Sequence, residues 1–296
     1  MNQPISQTTA PADPATESTD ATLEEKYAAL IALLAREESI AIAYSGGVDS
    51  TLLLACAHEA LGDRAVAFTA RSSVIPAREL EGARTLCAAR GWEQVVFDVD
   101  PLGNPDLADN PRDRCYHCKR TILAQLAELA HARGIGTIAE GTNTSDRAVY
   151  RPGERAVAEA GVLSPLAACG LSKADVRALS RRLGLPTWDK PSSPCLLTRL
   201  PYDHPVTADL LARADAAERF LADAGVSPVR VRCYDNLARI EVEPGQFALL
   251  TDDAFREKLL KRFSDLGFVY TTLDLAGIRS GSMDEPYRTE GERPAD

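Results

Sequence analysis

The stretch AIAYSGGVDSTLLLACA, residues 41–57, sets a short apolar run against a longer one with a glycine-rich turn between them. SIAIAY (39–44) reads as a buried strand, and TLLLACAHEALG as a helix that stops at Gly62. The turn SGGVDS (45–50) holds two glycines, two serines and an aspartate, and no lysine. Gly46 and Gly47 permit a tight bend and close backbone approach. Free N–H groups, the hydroxyls of Ser45, Ser50 and Thr51, and the positive end of the helix can then converge on an anion, most naturally phosphate. The mononucleotide loop GxxxxGK needs a lysine that is absent, and the dinucleotide fingerprint GxGxxG does not match.

Outward from this turn, helical and strand-like runs alternate. LEEKYAALIALLARE (23–37) has helical spacing, RAVAFTA (64–70) reads as a strand, and helices over 76–90 and 119–133 alternate with strands over 93–99 and 136–140. Strands separated by helices imply an α/β fold, a doubly wound parallel sheet with right-handed crossovers. SGGVDS stands at the carboxyl edge of that sheet, where ligands of such folds gather. Beyond Pro201 the pattern changes to a helix (207–224), two alternating strands VRVRCY and LARIEV joined through Asp235 and Asn236, a helix (253–266) and a last strand FVYTTLDL. This αββαβ order predicts a smaller C-terminal α+β domain. The expected division is 23–205 and 206–282, with residues 1–22 and 283–296 as disordered tails poor in large apolar residues.

Composition narrows the function classes. Of 296 residues, 45% are apolar and 26% charged, and 33 Lys and Arg against 43 Asp and Glu give a net charge of −10. Such a balance does not favour nucleic acid or anionic lipid as partner. The longest apolar runs fall far short of the roughly 20 residues a membrane span needs. The N-terminus has neither a basic leader nor an apolar core, and seven cysteines, an odd number, suit a reducing compartment; both point to the cytoplasm.

SGGVDS closely resembles the PP-loop SGGxDS of the ATP pyrophosphatases. EGTNTSDRAVYRPG (140–153), GVLSPLAACGLSKADVRALSRRLGLPTWDKP (161–191) and YTTLDLAGIRSGSM (270–283) resemble the LarE-type sulfur transferases, over nearly the whole chain between the tails. The resemblance implies an ATP-dependent, adenylating enzyme, and a homo-oligomer, that converts the carboxylates of pyridinium-3,5-dicarboxylate mononucleotide to thiocarboxylates in nickel-pincer nucleotide synthesis. Carried over by position, Ser45, Gly46, Gly47, Asp49 and Ser50 bind ATP phosphates, Asp49 lies near Mg2+, and Cys195 joins Asp49 as a catalytic residue. Arg199, Arg230, Arg232 and Glu241 are implied to contact substrate. Arg230 and Arg232 alternate along VRVRCY and so share one face of a strand, and a planar fork suits phosphate or carboxylate.

Two sources of sulfur remain open. Cys195 sits in the proline-rich PSSPCLLTRLPY, and a nearby arginine favours the thiolate form that attacks carbonyl carbon. In the LarE pattern the matching cysteine gives up its own sulfur, leaving dehydroalanine. RCYHCKR adds Cys115 and Cys118 with C-x-x-C spacing. Zinc at a closed site wants four ligands, whereas three cysteines, Cys115, Cys118 and Cys195, suit a 4Fe-4S cluster whose fourth iron can carry exchangeable sulfur. A PP-loop tRNA thiolase using such a cluster is the alternative function, against which stand the acidic charge and the lack of a long basic stretch. Cys56, Cys87, Cys169 and Cys233 read as packing residues. Asp146 and Arg151 are further candidates at the active edge, Lys119 and Lys173 are candidates to reach phosphate, and Trp188 to stack on a ring.

Overall fold

A computed structural model describes residues 15–148, 152–279 and 281–285. Along the first part of the chain, α1 (Ala15–Leu34), β1 (Ile40–Ala43), α2 (Val48–Leu61), β2 (Ala65–Arg71), α3 (Ala77–Arg90), β3 (Gln94–Asp98), α4 (Arg114–His131) and β4 (Thr137–Ala139) alternate. The four strands are parallel in the order β3-β2-β1-β4. Successive side chains of a strand point to opposite faces. Ile40 and Ile42 accordingly join Leu30, Leu52, Leu53 and Cys87 on the side of α1, α2 and α3, while Ala41 joins Phe68, Leu123 and Leu126 on the side of α4. Burial on both faces is why β1 reads as an unbroken apolar run. The chain runs outward from β1 to β3 and then returns to place β4 on the other flank of β1. The turn after β1 thus lies where the strand order reverses, the crevice position of open α/β sheets.

Three helices, α5 (Gly153–Glu159), α6 (Pro165–Ala168) and α7 (Lys173–Arg182), follow β4. Sequence spacing alone did not reveal them, although α7 announces itself by Ser172 and Asp175, which form a reciprocal capping box. Helix α4 begins at Arg114 rather than Lys119, so Cys115 and Cys118 stand on its first turn. Nothing in RCYHCKR breaks a helix, and burial of Tyr116, whose hydroxyl donates to Glu159 at 2.8 Å, draws that turn into the fold.

The C-terminal part contains α8 (Ala208–Asp223), β5 (Val229–Tyr234), β6 (Leu237–Val242), α9 (Phe247–Thr251), α10 (Asp253–Asp265) and β7 (Tyr270–Leu273). β5 and β6 pair antiparallel through a turn in which Asp235 has φ 54°, and β7 adds in parallel to β6. This mixed sheet, α8 and α10 share a second core with Leu196, Leu197 and Leu200, which precede the expected boundary at 206. The backbone of 15–22 is helical where a tail is expected, and Met283 is buried just past the expected end at 282. Residues 1–14 and 286–296 of the expected tails lie outside the described residues. Among the described residues, no helix is long and apolar enough to cross a membrane.

Candidate active site

Gly46 follows β1 with φ 71°, a left-handed conformation that favours glycine, and a β-carbon there would lie 2.9 Å from that of Ala83. Gly47 is the N-cap of α2 and supplies no side-chain cap, so the first N–H groups of the helix stay available to a ligand. Ser45 and Ser50 close the turn from within: their Oγ atoms lie 3.0 Å apart and the Gly47 N–H donates to Ser45 Oγ at 3.3 Å. Next to it runs the loop after β4, so close that a β-carbon on Gly141 would come within 2.9 Å of Ser50 N. From that loop Asn143 Nδ2 donates to Asp49 Oδ1 at 3.1 Å and to Asp146 Oδ2 at 2.9 Å.

These elements wall a cleft of about 430 Å³. Ser45, Gly47, Asp49, Ser50, Asp146 and Cys195 line it together, joined by Glu79, Glu140 and three lysines, Lys119, Lys173 and Lys190. The cations missing from the turn itself therefore arrive from elsewhere in the fold. Lys173 Nζ lies 2.6 Å from Asp49 Oδ2, Lys119 Nζ 3.3 Å from Glu140, and Lys190 Nζ 2.8 Å from Glu79 and 2.9 Å from the Gly46 carbonyl. Burial alone would raise the Glu140 carboxyl, but Lys119 and the donors on Thr142 and Ser164 outweigh it and hold it below its ordinary value. Lys190 escaped the sequence reading; only its place in WDKP, shortly before Cys195, hinted at it. Trp188 does not line the cleft and packs under Arg181, 5.0 Å from its ring centre. Arg151 lies outside the described residues.

On α4, Cys115 is exposed and Cys118 half-buried, three residues apart and so on one helix face. Cys118 and Cys195 both pack on the margin of the C-terminal core. Burial, and after it the neighbouring Cys195 and Cys115, push the Cys118 thiol up to about 12. Cys118 is thus the thiol that both of the others influence. Among the described residues, no three His, Cys, Asp or Glu side chains are grouped as a ready-made metal cage. His117, whose Nε2 lies 3.2 Å from Asp113, is engaged elsewhere.

None of Arg199, Arg230, Arg232 and Glu241 lines the cleft. Arg199, Arg232 and Glu241 are buried with their charges paired within the fold, as buried charges must be. Arg199, 1% exposed, forms a two-pronged pair with Glu218 at 2.6 and 2.9 Å and donates to the Pro194 carbonyl at 3.2 Å, directly before Cys195. Arg232 donates to Glu241 at 2.8 Å and to the Thr198 carbonyl at 2.5 Å. Together these arginines hold the segment that carries Cys195. Arg230 donates to the Arg279 carbonyl at 3.1 Å; burial, and then the nearby Arg232 and Arg199, lower its pKa.

No family model matches the chain. The pyridinium-3,5-bisthiocarboxylic acid mononucleotide synthase of Lactiplantibacillus plantarum is 35% identical over 266 residues, covering 90% of this chain and 96% of that protein. The chain belongs to the LarE family. An uncharacterised protein of Synechocystis is 41% identical over 261 residues, 88% of this chain and 97% of its own. The NH3-dependent NAD+ synthetase of Aeropyrum pernix is 32% identical over 180 residues, 56% of this chain and 60% of its own, which extends the likeness to the wider PP-loop superfamily. A LarE-family chain with this cleft is an ATP-using enzyme.

Proposed function

We propose that the chain adenylates the carboxylates of pyridinium-3,5-dicarboxylate mononucleotide with ATP and replaces the AMP by sulfur, giving thiocarboxylates. The observation that carries this reading is that Cys195 lines the same cleft as Ser45, Gly47, Asp49 and Ser50. In the first step a substrate carboxylate oxygen attacks the α-phosphorus and pyrophosphate departs. The free N–H groups at the start of α2 and the lysines of the cleft bind the leaving charge in a partly enclosed site, where fixed donors act most strongly. Magnesium commonly takes only one or two carboxylates together with substrate phosphates, and Asp49 and Asp146, bridged by Asn143, fit that requirement without a preformed cage.

In the second step sulfur attacks the acyl carbon and AMP leaves with the bonding electron pair. As sacrificial donor, the Cys195 thiolate forms a thioester. Loss of the Cys195 α-proton then expels the thiocarboxylate by breaking the Cβ–S bond, leaving dehydroalanine. The second source we propose is a 4Fe-4S cluster held by Cys115, Cys118 and Cys195; thiols are the donors such a cluster takes, Cys118 shares a helix face with Cys115 and packs with Cys195 against the C-terminal core, and when bound the cluster would supply exchangeable sulfur. Arg230, crowded by Arg232 and Arg199, would gain from an anionic group of the nucleotide.

Anaerobically purified protein is expected to release pyrophosphate from MgATP only with the dicarboxylate mononucleotide present; no release with that substrate refutes the reading. Iron, sulfide and visible absorption, compared with Cys115→Ala, separate the two sulfur sources. Iron-free protein whose spent form is lighter by one hydrogen sulfide at Cys195 selects the sacrificial route.

A further inference from the structure

Cys195 and the Cys115–Cys118 pair stand on two remote stretches of chain, and one buried side chain fastens these together. Asn110, wholly buried in the loop that opens α4, has φ 51°, a left-handed backbone that asparagine tolerates better than most side chains. Its Nδ2 donates to the carbonyls of Leu197, Leu200 and Pro201 at 3.3, 3.2 and 2.7 Å. Carbonyl oxygens only accept, so the amide nitrogen must face them, and a carboxylate of the same size could not replace it. The main chain adds two bonds to this seam, from Val206 N–H to the Ala108 carbonyl at 2.8 Å and from Asp203 N–H to the Asn110 carbonyl at 3.4 Å. Arg114, itself buried, stacks on the Tyr202 ring at 4.2 Å. One side of the seam runs directly into the first turn of α4 with Cys115 and Cys118; the other begins where the short turn Leu196–Arg199 leaves Cys195. Asn110 Oδ1 is buried with no partner among the described residues. A left-handed backbone and an unpartnered buried acceptor both cost stability. Stability is therefore a poor reason for this side chain, and holding two segments in register is a better one.

We propose that Asn110 is a positioning residue for sulfur transfer, whose amide clasps the loop opening α4 to the segment behind Cys195 and so sets where Cys195 stands relative to Cys118 and to the adenylated carboxylate. The inference rests on the function proposed above and holds for either sulfur source, since both use Cys195. It separates the two half-reactions. The phosphate-binding turn is held by α2 and the loop after β4, whereas the Asn110 side chain bonds to the Cys195 segment. Loss of the amide leaves adenylation in place and misplaces the sulfur. A residue serving stability alone would lower both half-reactions together, through the amount of folded protein.

Paired assays on the full chain, kept anaerobic, test it. Asn110→Gly keeps the left-handed backbone and removes only the side chain. Phe263→Leu, which opens a cavity elsewhere in the same core, serves as a destabilised control. With MgATP and the dicarboxylate mononucleotide, Asn110→Gly is expected to release pyrophosphate within about twofold of wild type but to form about tenfold less thiocarboxylate per pyrophosphate, the scale of a slightly misplaced reacting group. Phe263→Leu should keep the wild-type ratio. A wild-type ratio in Asn110→Gly, or an equal fall in Phe263→Leu, overturns the proposal. Bridging of neighbouring thiols by dibromobimane gives a readout that needs no turnover. In a Cys115→Ala background, bridging of Cys118 to Cys195, located by peptide mass, should be several-fold slower with Asn110→Gly; equal rates, or no bridging at all, overturn the clasp. Should Asn110→Gly not fold, Asn110→Asp takes its place, and a wild-type product ratio or bridging rate in it overturns the proposal as well. A wild-type protein that releases no pyrophosphate sinks the adenylating function, while the bridging rates still judge Asn110.

Discussion

Gly141 shows how narrowly the site is set. Its missing side chain lets the loop after β4 lie against the first turn of α2, where a β-carbon would meet backbone atoms at 2.9 and 3.1 Å. Gly141→Ala is therefore expected to cost about 1–3 kcal/mol, the range for overpacking, and to weaken MgATP binding through the displaced Asn143. Gly136→Ala, which meets nothing within 4 Å, should leave both unchanged. Denaturant titration and nucleotide binding on the two variants decide it. Cys195→Ser is expected to keep pyrophosphate release while thiocarboxylate formation is lost, since the hydroxyl replaces the sulfur but leaves the phosphate site intact; product analysis beside a pyrophosphate assay tests this. Ser45, Gly46, Gly47, Asp49 and Ser50 were legible because they form one contiguous string whose chemistry is local. Lys190 was not, because its contact with the Gly46 carbonyl spans 144 residues.

The short helical turn Leu196–Arg199 and α8 are joined through the buried pair Arg199–Glu218, with side chains 1% and 2% exposed. Glu218 Oε1 also accepts the Val231 N–H at 2.9 Å, linking α8 to β5. Removing one member of such a pair strands the other, so Glu218→Ala is expected to cost about 3–5 kcal/mol, while the double change Arg199→Met with Glu218→Leu recovers much of it. Urea unfolding of the single and double variants checks both halves; a double variant no more stable than Glu218→Ala would refute the pairing argument. The sequence placed an arginine four residues after Cys195 and suggested a direct influence on the thiol. What it could not show was the carboxylate from α8 that claims this guanidinium. The same blindness applied to α4, whose start was read past the C-x-x-C because polar residues there obscure the apolar spacing.

Across the fold as a unit, ionisation sets a window of stability. Burial pushes the thiols of Cys56 and Cys233 from an ordinary 9.0 up to about 12. An unfolded chain loses those protons first, so folding stability is fully present below about pH 9 and falls as pH rises toward 12, by roughly 1 kcal/mol per pH unit for each thiol. On the acid side, burial alone would raise Glu140 and Glu241, but Lys119 and the Thr142 and Ser164 donors for the first, and Arg232, Ser282 and Arg239 for the second, hold both below 4.5. Their contribution is present above that value and is lost as pH falls through the lowered folded values. Stability measured between pH 3 and 11 should give a plateau bounded on both sides, and Cys56→Ala should make the alkaline slope shallower. A slope unchanged by that substitution would remove Cys56 from the account.

By itself the sequence determined the α/β alternation, the anion-binding turn and the family, because each is written in neighbouring residues: periodicity, a glycine bend and short strings of matching chemistry. Tertiary structure alone decided which charges meet. It set Lys173 against Asp49 across 124 residues and packed Cys118 with Cys195 against one core. It also made Arg199 and Arg232 struts beneath the Cys195 segment. Electrostatic partners and thiol neighbours follow from distances of a few ångströms, and distances between remote residues exist only once the chain has folded.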